Sequence, residues 1–384
     1  MRIGNVKHYL GWLLILLCLT QSSCKSSEDD ESTTTVEDQD EDATTQTINN
    51  SYVYKLPVIF HVLYSEANNE TQYVSATRLK IILSRINELY QGNVYGESEN
   101  INVKFELATY DEKGNKLATP GVEYVKWTGE YPIDATEFMS DQTGKNVKYI
   151  WDPNEYINVM MFNFKSPDDS SSELLGISNM PLTVKGDSSL SGLEEINISS
   201  IKKSQLQYAY CSSINSKYIN SESTRYTNKG KSSYQYQSTD INVTLAHELG
   251  HYLGLHHVFA ETKKQNGYDY AETCFDSDYC KDTPSYNRKE YNDYLYYYLS
   301  QHSTGSSIDI NDLTKRTNCD GETFESANIL DYAVGLGYKI SADQKYRIRH
   351  VLYNSPLIPG PKVSQGTRSA STDKELNLPI TIVK

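Results

Sequence analysis

Three histidines and a glutamate lie close together two-thirds of the way along the chain: His247, Glu248, His251 and His257. On a helix, residues four apart lie on one face, one turn above the other. His247 and His251 can therefore present two imidazoles to one ion. Gly254 tolerates the positive φ at which a chain leaves a helix sharply. The bend returns His257 as a third nitrogen. Three such ligands suit Zn²⁺ and leave one position open, as in catalytic rather than structural zinc sites. Glu248, beside the first ligand, is placed to take a proton from water at that position. His256 breaks the spacing and reads as a neighbour, not a ligand.

Such a set needs a helix, and the flanking residues supply one. Ser238, Thr239 and Asp240 offer N-cap oxygens, and Ile241, Leu245 and Leu249 recur at helical spacing. Upstream, Tyr54 to Tyr64 is a β-branched and aromatic run that reads as a buried strand. Ser75 then caps a helix with Leu79, Ile82, Leu83, Ile86, Leu89 and Tyr90 on one face, stopped by Gly92. Ile101, Val103, Phe105 and Leu107 alternate as in a strand with one buried face. Asp111 to Asn115 reads as a turn, and Tyr156 to Phe162 as a further strand. A mixed sheet with helices packed on it follows from this order.

Residues 165–237 carry little periodicity and read as loops and short strands around a cleft. Ser341 to Gln344 is a capping box that opens a helix, with Tyr346, Ile348, Val351 and Leu352 for its buried side and Pro356 to end it. The tail from Lys362 onward is expected to be loosely held. Tyrosines outnumber phenylalanines, 32 to 8. They read as fillers of half-wet positions; substrate contacts by Tyr291, Tyr294, Tyr296, Tyr297 and Tyr298 are the sharper alternative.

Residues 1–23 read as a signal peptide: Arg2 and Lys7 precede an apolar run too short to span a membrane comfortably. Ser22 and Ser23 before Cys24 resemble a bacterial lipoprotein cleavage site, with Cys24 lipidated, although Gln21 stands where an aliphatic residue is usual. Ordinary signal-peptidase cleavage nearby is the alternative. Residues 24–51 form an acidic tether, with nine acids and one lysine between positions 25 and 42 and almost nothing apolar to bury. The acidic stretch directly after Cys24 resembles the surface-export signal of Bacteroidetes lipoproteins; a plain solvated spacer is the alternative. The formal charge of −14 leaves no basic stripe for nucleic acid.

Beyond Cys18 and Cys24 there are four cysteines: Cys211, Cys274, Cys280 and Cys319. In an exported chain they argue for two disulfides, and the sequence does not choose among the three pairings. Asp276, Asp278 and Asp282 could hold Ca²⁺, which wants several oxygens. Their spacing is not that of a regular calcium loop, and a solvated acidic loop is the alternative.

Asn328-Ile-Leu-Asp-Tyr332 resembles the N-x-M-D-Y turn of metzincin proteases. Lys55 to Tyr64, Asp282-Thr283-Pro284 and Ser341 to Gly360 resemble the pappalysin (cytophagalysin, ulilysin-like) branch of that group. The resemblance implies one zinc metalloprotease domain over residues 52–360, with 361–384 as a C-terminal tail. It implies an α+β, metzincin-like zincin fold: a twisted mixed sheet, a backing helix and an active-site helix, then a smaller lower subdomain with a Met-turn-like loop and a C-terminal helix. His247, His251 and His257 would hold one zinc, Glu248 would be the general base, and Tyr332 would offer its hydroxyl to the metal site or a developing oxyanion. It also implies a Cys274–Cys319 disulfide, with Cys211–Cys280 as the remaining pair.

Three departures are visible. Leu330 stands in place of the turn methionine, close to it in volume. The loop Ala333 to Tyr338 lacks the acidic residues that give some relatives a preference for Arg or Lys. No cysteine before residue 53 is free to plug the zinc if Cys24 carries lipid. The expected function is zinc-dependent endopeptidase activity on extracellular or periplasmic proteins. The chain is expected to be an outer-membrane, surface-exposed lipoprotein and a monomer. The alternative is a non-catalytic surface binding protein or adhesin on the same scaffold.

Overall fold

In the computed structural model, residues 50–166, 173–186, 189–227, 234–265, 267–302, 308–362 and 374–384 are described. The signal segment, Cys24 and nearly all of the tether lie outside them. In chain order the elements are β1 (Tyr54–Tyr64), α1 (Ala76–Gln91), β2 (Val103–Leu107), β3 (Val122–Lys126), α2 (Ala135–Ser140), β4 (Ile157–Phe162), β5 (Gly176–Asn179), β6 (Leu182–Val184), β7 (Glu194–Ile196) and β8 (Ser212–Asn215). There follow α3 (Ile241–Tyr252), β9 (Glu261–Lys264), β10 (Gly267–Tyr270), α4 (Arg288–Gln301), α5 (Ile310–Leu313), β11 (Lys315–Thr317), β12 (Thr323–Glu325), α6 (Ala342–Asn354) and β13 (Ile382–Val383).

β1 is the spine of a seven-stranded sheet, and its burial on both faces explains its nearly continuous apolar sequence. It pairs in parallel with β4 along one edge and with β2 and then β3 along the other. β8 continues in parallel from β4, β5 runs antiparallel to β8, and β13 runs antiparallel to β5. β5 is thus the strand that runs against its neighbours.

α1 begins where Ser75 accepts a hydrogen bond from the Arg78 amide, and it ends at Gly92 with φ 72°. Its buried face is the expected one, and the Tyr90 hydroxyl donates to the Ala246 carbonyl at 3.0 Å, tying α1 to α3. α3 is capped by Asp240, and α6 opens with the Ser341–Gln344 capping box. Tyr346 is half-buried, while Arg347, Arg349 and His350 join Ile348, Val351 and Leu352 inside.

One expectation is extended and one is corrected. The stretch 165–237 supplies two strands of the main sheet, β5 and β8. These are short and carry buried Ser and Asn whose polar atoms pair with each other and with backbone: Ser178 Oγ lies 2.7 Å from Ser212 Oγ, and Asn179 Oδ1 accepts from the Cys211 amide at 3.0 Å. Such strands show no apolar alternation. The tail is held as well, over residues 374–384. Leu378, Ile380, Ile382 and Val383 are buried, and β13 extends the sheet. Residues 363–373 lie outside the described ones.

Past Gly254 come the β9–β10 hairpin, α4, α5, the β11–β12 hairpin and α6. Cys274–Cys319 joins the segment after β10 to the β11–β12 connection, with Cα atoms 5.3 Å apart. The Cys211–Cys280 pair does not form. Each thiol is buried in its own surroundings, Cys211 against the Met139 sulfur and the Ala209 carbonyl, Cys280 in the loop closed by Asp278. Burial pushes the Cys211 thiol up to about 12.

Candidate metal centre

α3 places His247 and His251 one turn apart, and the bend behind it brings back His257. The bend is set by Gly254, with φ 94°. A side chain there would also strike Val351 Cγ2 at 2.6 Å. The three Nε2 atoms converge: 3.0 Å between His247 and His251, 3.1 Å between His251 and His257, and 3.2 Å between His247 and His257. Tetrahedral ligands at a Zn–N distance of 2.0–2.1 Å stand roughly 3.3–3.4 Å apart. The donor set therefore fits zinc with minor adjustment.

The opposite ring nitrogens fix the orientation, as metal-binding histidines require. His247 Nδ1 lies 2.7 Å from the Ile329 carbonyl and His251 Nδ1 lies 2.8 Å from the Leu255 carbonyl. His257 Nδ1 lies 3.0 Å from Glu261 Oε1, without an aligned hydrogen bond. Burial pulls His247 down to about 3, with the neighbouring His257 adding to the effect, and pulls His251 well below its usual range. A neutral imidazole is the form that binds a metal.

Glu248 is buried, and its Oε2 has no protein partner. Desolvation pushes its carboxyl well above the usual range. The carboxylate lines a cavity of about 940 Å³ together with His247, Gly176 and Tyr332. Gly176 of β5 must be glycine: a Cβ there would lie 2.4 Å from Glu248 Oε1. β5 and the carboxylate are thus in direct contact.

Beneath the histidines runs the turn Asn328 to Tyr332. Leu330 is fully buried and so close to α3 that a Cβ at Gly250 would meet its Cδ2 at 3.0 Å. Asp331 anchors the turn. Its Oδ1 accepts from the Tyr286 hydroxyl at 2.5 Å, Ser326 Oγ donates to its Oδ2, and the guanidinium groups of Arg288 and Arg316 lie 3.6 and 3.5 Å away. The Tyr332 ring stacks edge-on against His257 at 4.6 Å, but its hydroxyl donates to the Lys384 carbonyl.

His256 is a neighbour, as expected. Its ring packs against Tyr268 and Tyr279. The aspartates do not converge: among the described residues, the three histidines form the one group that could share an ion. Asp278 accepts from the Cys280 amide and Thr283 Oγ1, Asp276 from the Asp278 amide, and Asp282 from Ser341 Oγ and the Asp343 amide. The α4 tyrosines turn away: Tyr294, Tyr296 and Tyr297 are exposed, and α4 gives the cavity Arg288 and Asn292.

Sequence reasoning missed Gly176, Glu261 and the partners of Asp331. Glu261 stands four residues after His257, a findable signal. Gly176 has no local one.

Residues 209–353 match the family model described as Peptidase_M43, pregnancy-associated plasma protein-A. No curated protein matches the chain. Among solved structures, mature mirolysin of Tannerella forsythia with a cleaved peptide is 19% identical over 79% of this chain and 92% of that one, with a TM-score of 0.49. Mirolysin in complex with compound 9 is 18% identical over 79% and 92%, with a TM-score of 0.48.

Proposed function

We propose that the chain, whose residues 209–353 match the pappalysin peptidase family model, hydrolyses peptide bonds with one zinc held by His247, His251 and His257 and with Glu248 as general base. The observation that carries this reading is the convergence of three oriented imidazoles beside a buried carboxylate whose second oxygen is unpartnered. The ion supplies Lewis acidity, making water acidic near neutral pH and polarising a carbonyl. Glu248 takes the proton from the attacking water and returns it to the leaving amine. Tyr332, once its hydroxyl leaves Lys384, donates to the carbonyl oxygen as negative charge grows there.

The substrates are extracellular or periplasmic proteins, and Cys24 carries the lipid that holds residues 24–51 as a tether on the outer membrane. Palmitate labelling that persists in Cys24→Ala would remove the anchor from this account. The activity is tested on a mixed peptide library. A chelator should abolish cleavage and zinc should restore it. Binding without chelator-sensitive cleavage would leave the adhesin reading in its place.

A further inference from the structure

We propose that residues 374–384 are an intramolecular competitor for the substrate cleft, resting on the peptidase reading above. β5 is the strand that abuts the metal site, with Gly176 against Glu248, and its side away from β8 can take a further strand. An extended peptide reaches that carboxylate by adding a strand to this edge. β13 already occupies it, with Ile382 opposite Asn179 and Val383 opposite Ser178. The Met180 amide donates to the Thr381 carbonyl at 2.9 Å, so the pairing spans Ser178 to Met180, the C-terminal end of β5.

The other side of the segment is closed by β10. A Cβ at Gly267 would lie 2.8 Å from the Ile382 carbonyl. Pairing in this direction carries Lys384 down β5 toward Gly176. Lys384 lines the cavity that holds His247 and Glu248, and its carbonyl accepts the hydroxyl of Tyr332. The segment therefore takes both the edge a substrate needs and the donor assigned to the oxyanion. It engages the catalytic cleft, not a remote surface.

A competitor tethered to the enzyme raises the apparent KM by the ratio of closed to open forms and leaves kcat unchanged. A merely structural strand would, when disturbed, lower kcat. Two full-chain variants loosen the segment from opposite sides: Ile382→Asp places a charge at a buried position, and Gly267→Ala crowds the Ile382 carbonyl. With zinc loaded, each should cleave peptides with an apparent KM lower by about 10-fold and several-fold respectively, at parental kcat. A synthetic peptide of residues 374–384 should compete with substrate on Ile382→Asp. Its fluorescent form should bind that variant saturably and the parent weakly.

An unchanged or raised KM in both variants, with the parent active, overturns the inference and leaves the peptidase reading intact. Absence of cleavage by every zinc-loaded form removes the peptidase reading and the competitor with it. Binding of the labelled peptide would then mark the segment as a structural strap.

Discussion

The histidines at 247, 251 and 257 and the aspartates at 276, 278 and 282 both look, by residue type and spacing, able to hold a metal. The fold treats them differently. His247 and His251 use Nδ1 on backbone carbonyls, His257 sets Nδ1 beside the Glu261 carboxylate, and all three turn Nε2 toward a common point. The aspartates use their oxygens on amides and hydroxyls of their own loop and of the α6 N-terminus. A metal site is marked by donors left over after local structure is satisfied. The aspartate loop has a different task, which is to pin α6 to the segment behind the metal centre.

The comparison breaks hardest at the ligands. His251→Ala removes one of three nitrogens and should abolish stoichiometric zinc binding and, with it, activity. Metal analysis of the purified variant checks this, and one zinc per chain would contradict the ligand set. Gly176→Ala should be milder. Its Cβ forces the Glu248 carboxylate aside while leaving the ligands in place. Displacement of a catalytic group by about 1 Å costs up to about 100-fold in rate. Zinc content should be unchanged and kcat/KM should fall by about 10- to 100-fold. An unchanged rate would detach β5 from the carboxylate.

Asp282→Ala should have the smallest effect. It removes the acceptor of Ser341 Oγ and of the Asp343 amide at the α6 N-terminus, which costs about 1 kcal/mol. Thermal melts should show that loss equally with and without calcium. A calcium-dependent difference between parent and variant would return the aspartates to metal binding.

The grouping of the three histidines, their helix and its bend were legible because they are local: a four-residue spacing, an N-cap and a glycine. The α1 face and the α6 capping box were legible for the same reason. The turn at Asn328 to Tyr332 was recognisable by resemblance, and Leu330 fills the place of methionine, buried against α3 at Gly250. β5 and β8 were not legible as members of the main sheet, because their buried serines and asparagines, paired with one another or with backbone, leave no apolar alternation. The held segment at 374–384 was hidden because its partner strand lies about 200 residues earlier in the chain. The Cys211–Cys280 pairing failed because cysteine count says nothing of where each thiol is buried.

The most direct test of the mechanism is Glu248→Gln in the zinc-loaded chain. It keeps the size of the side chain and removes its basicity. The account predicts one zinc per chain, as in the parent, with kcat lower by about 100- to 10,000-fold. Parental kcat in that variant would contradict it.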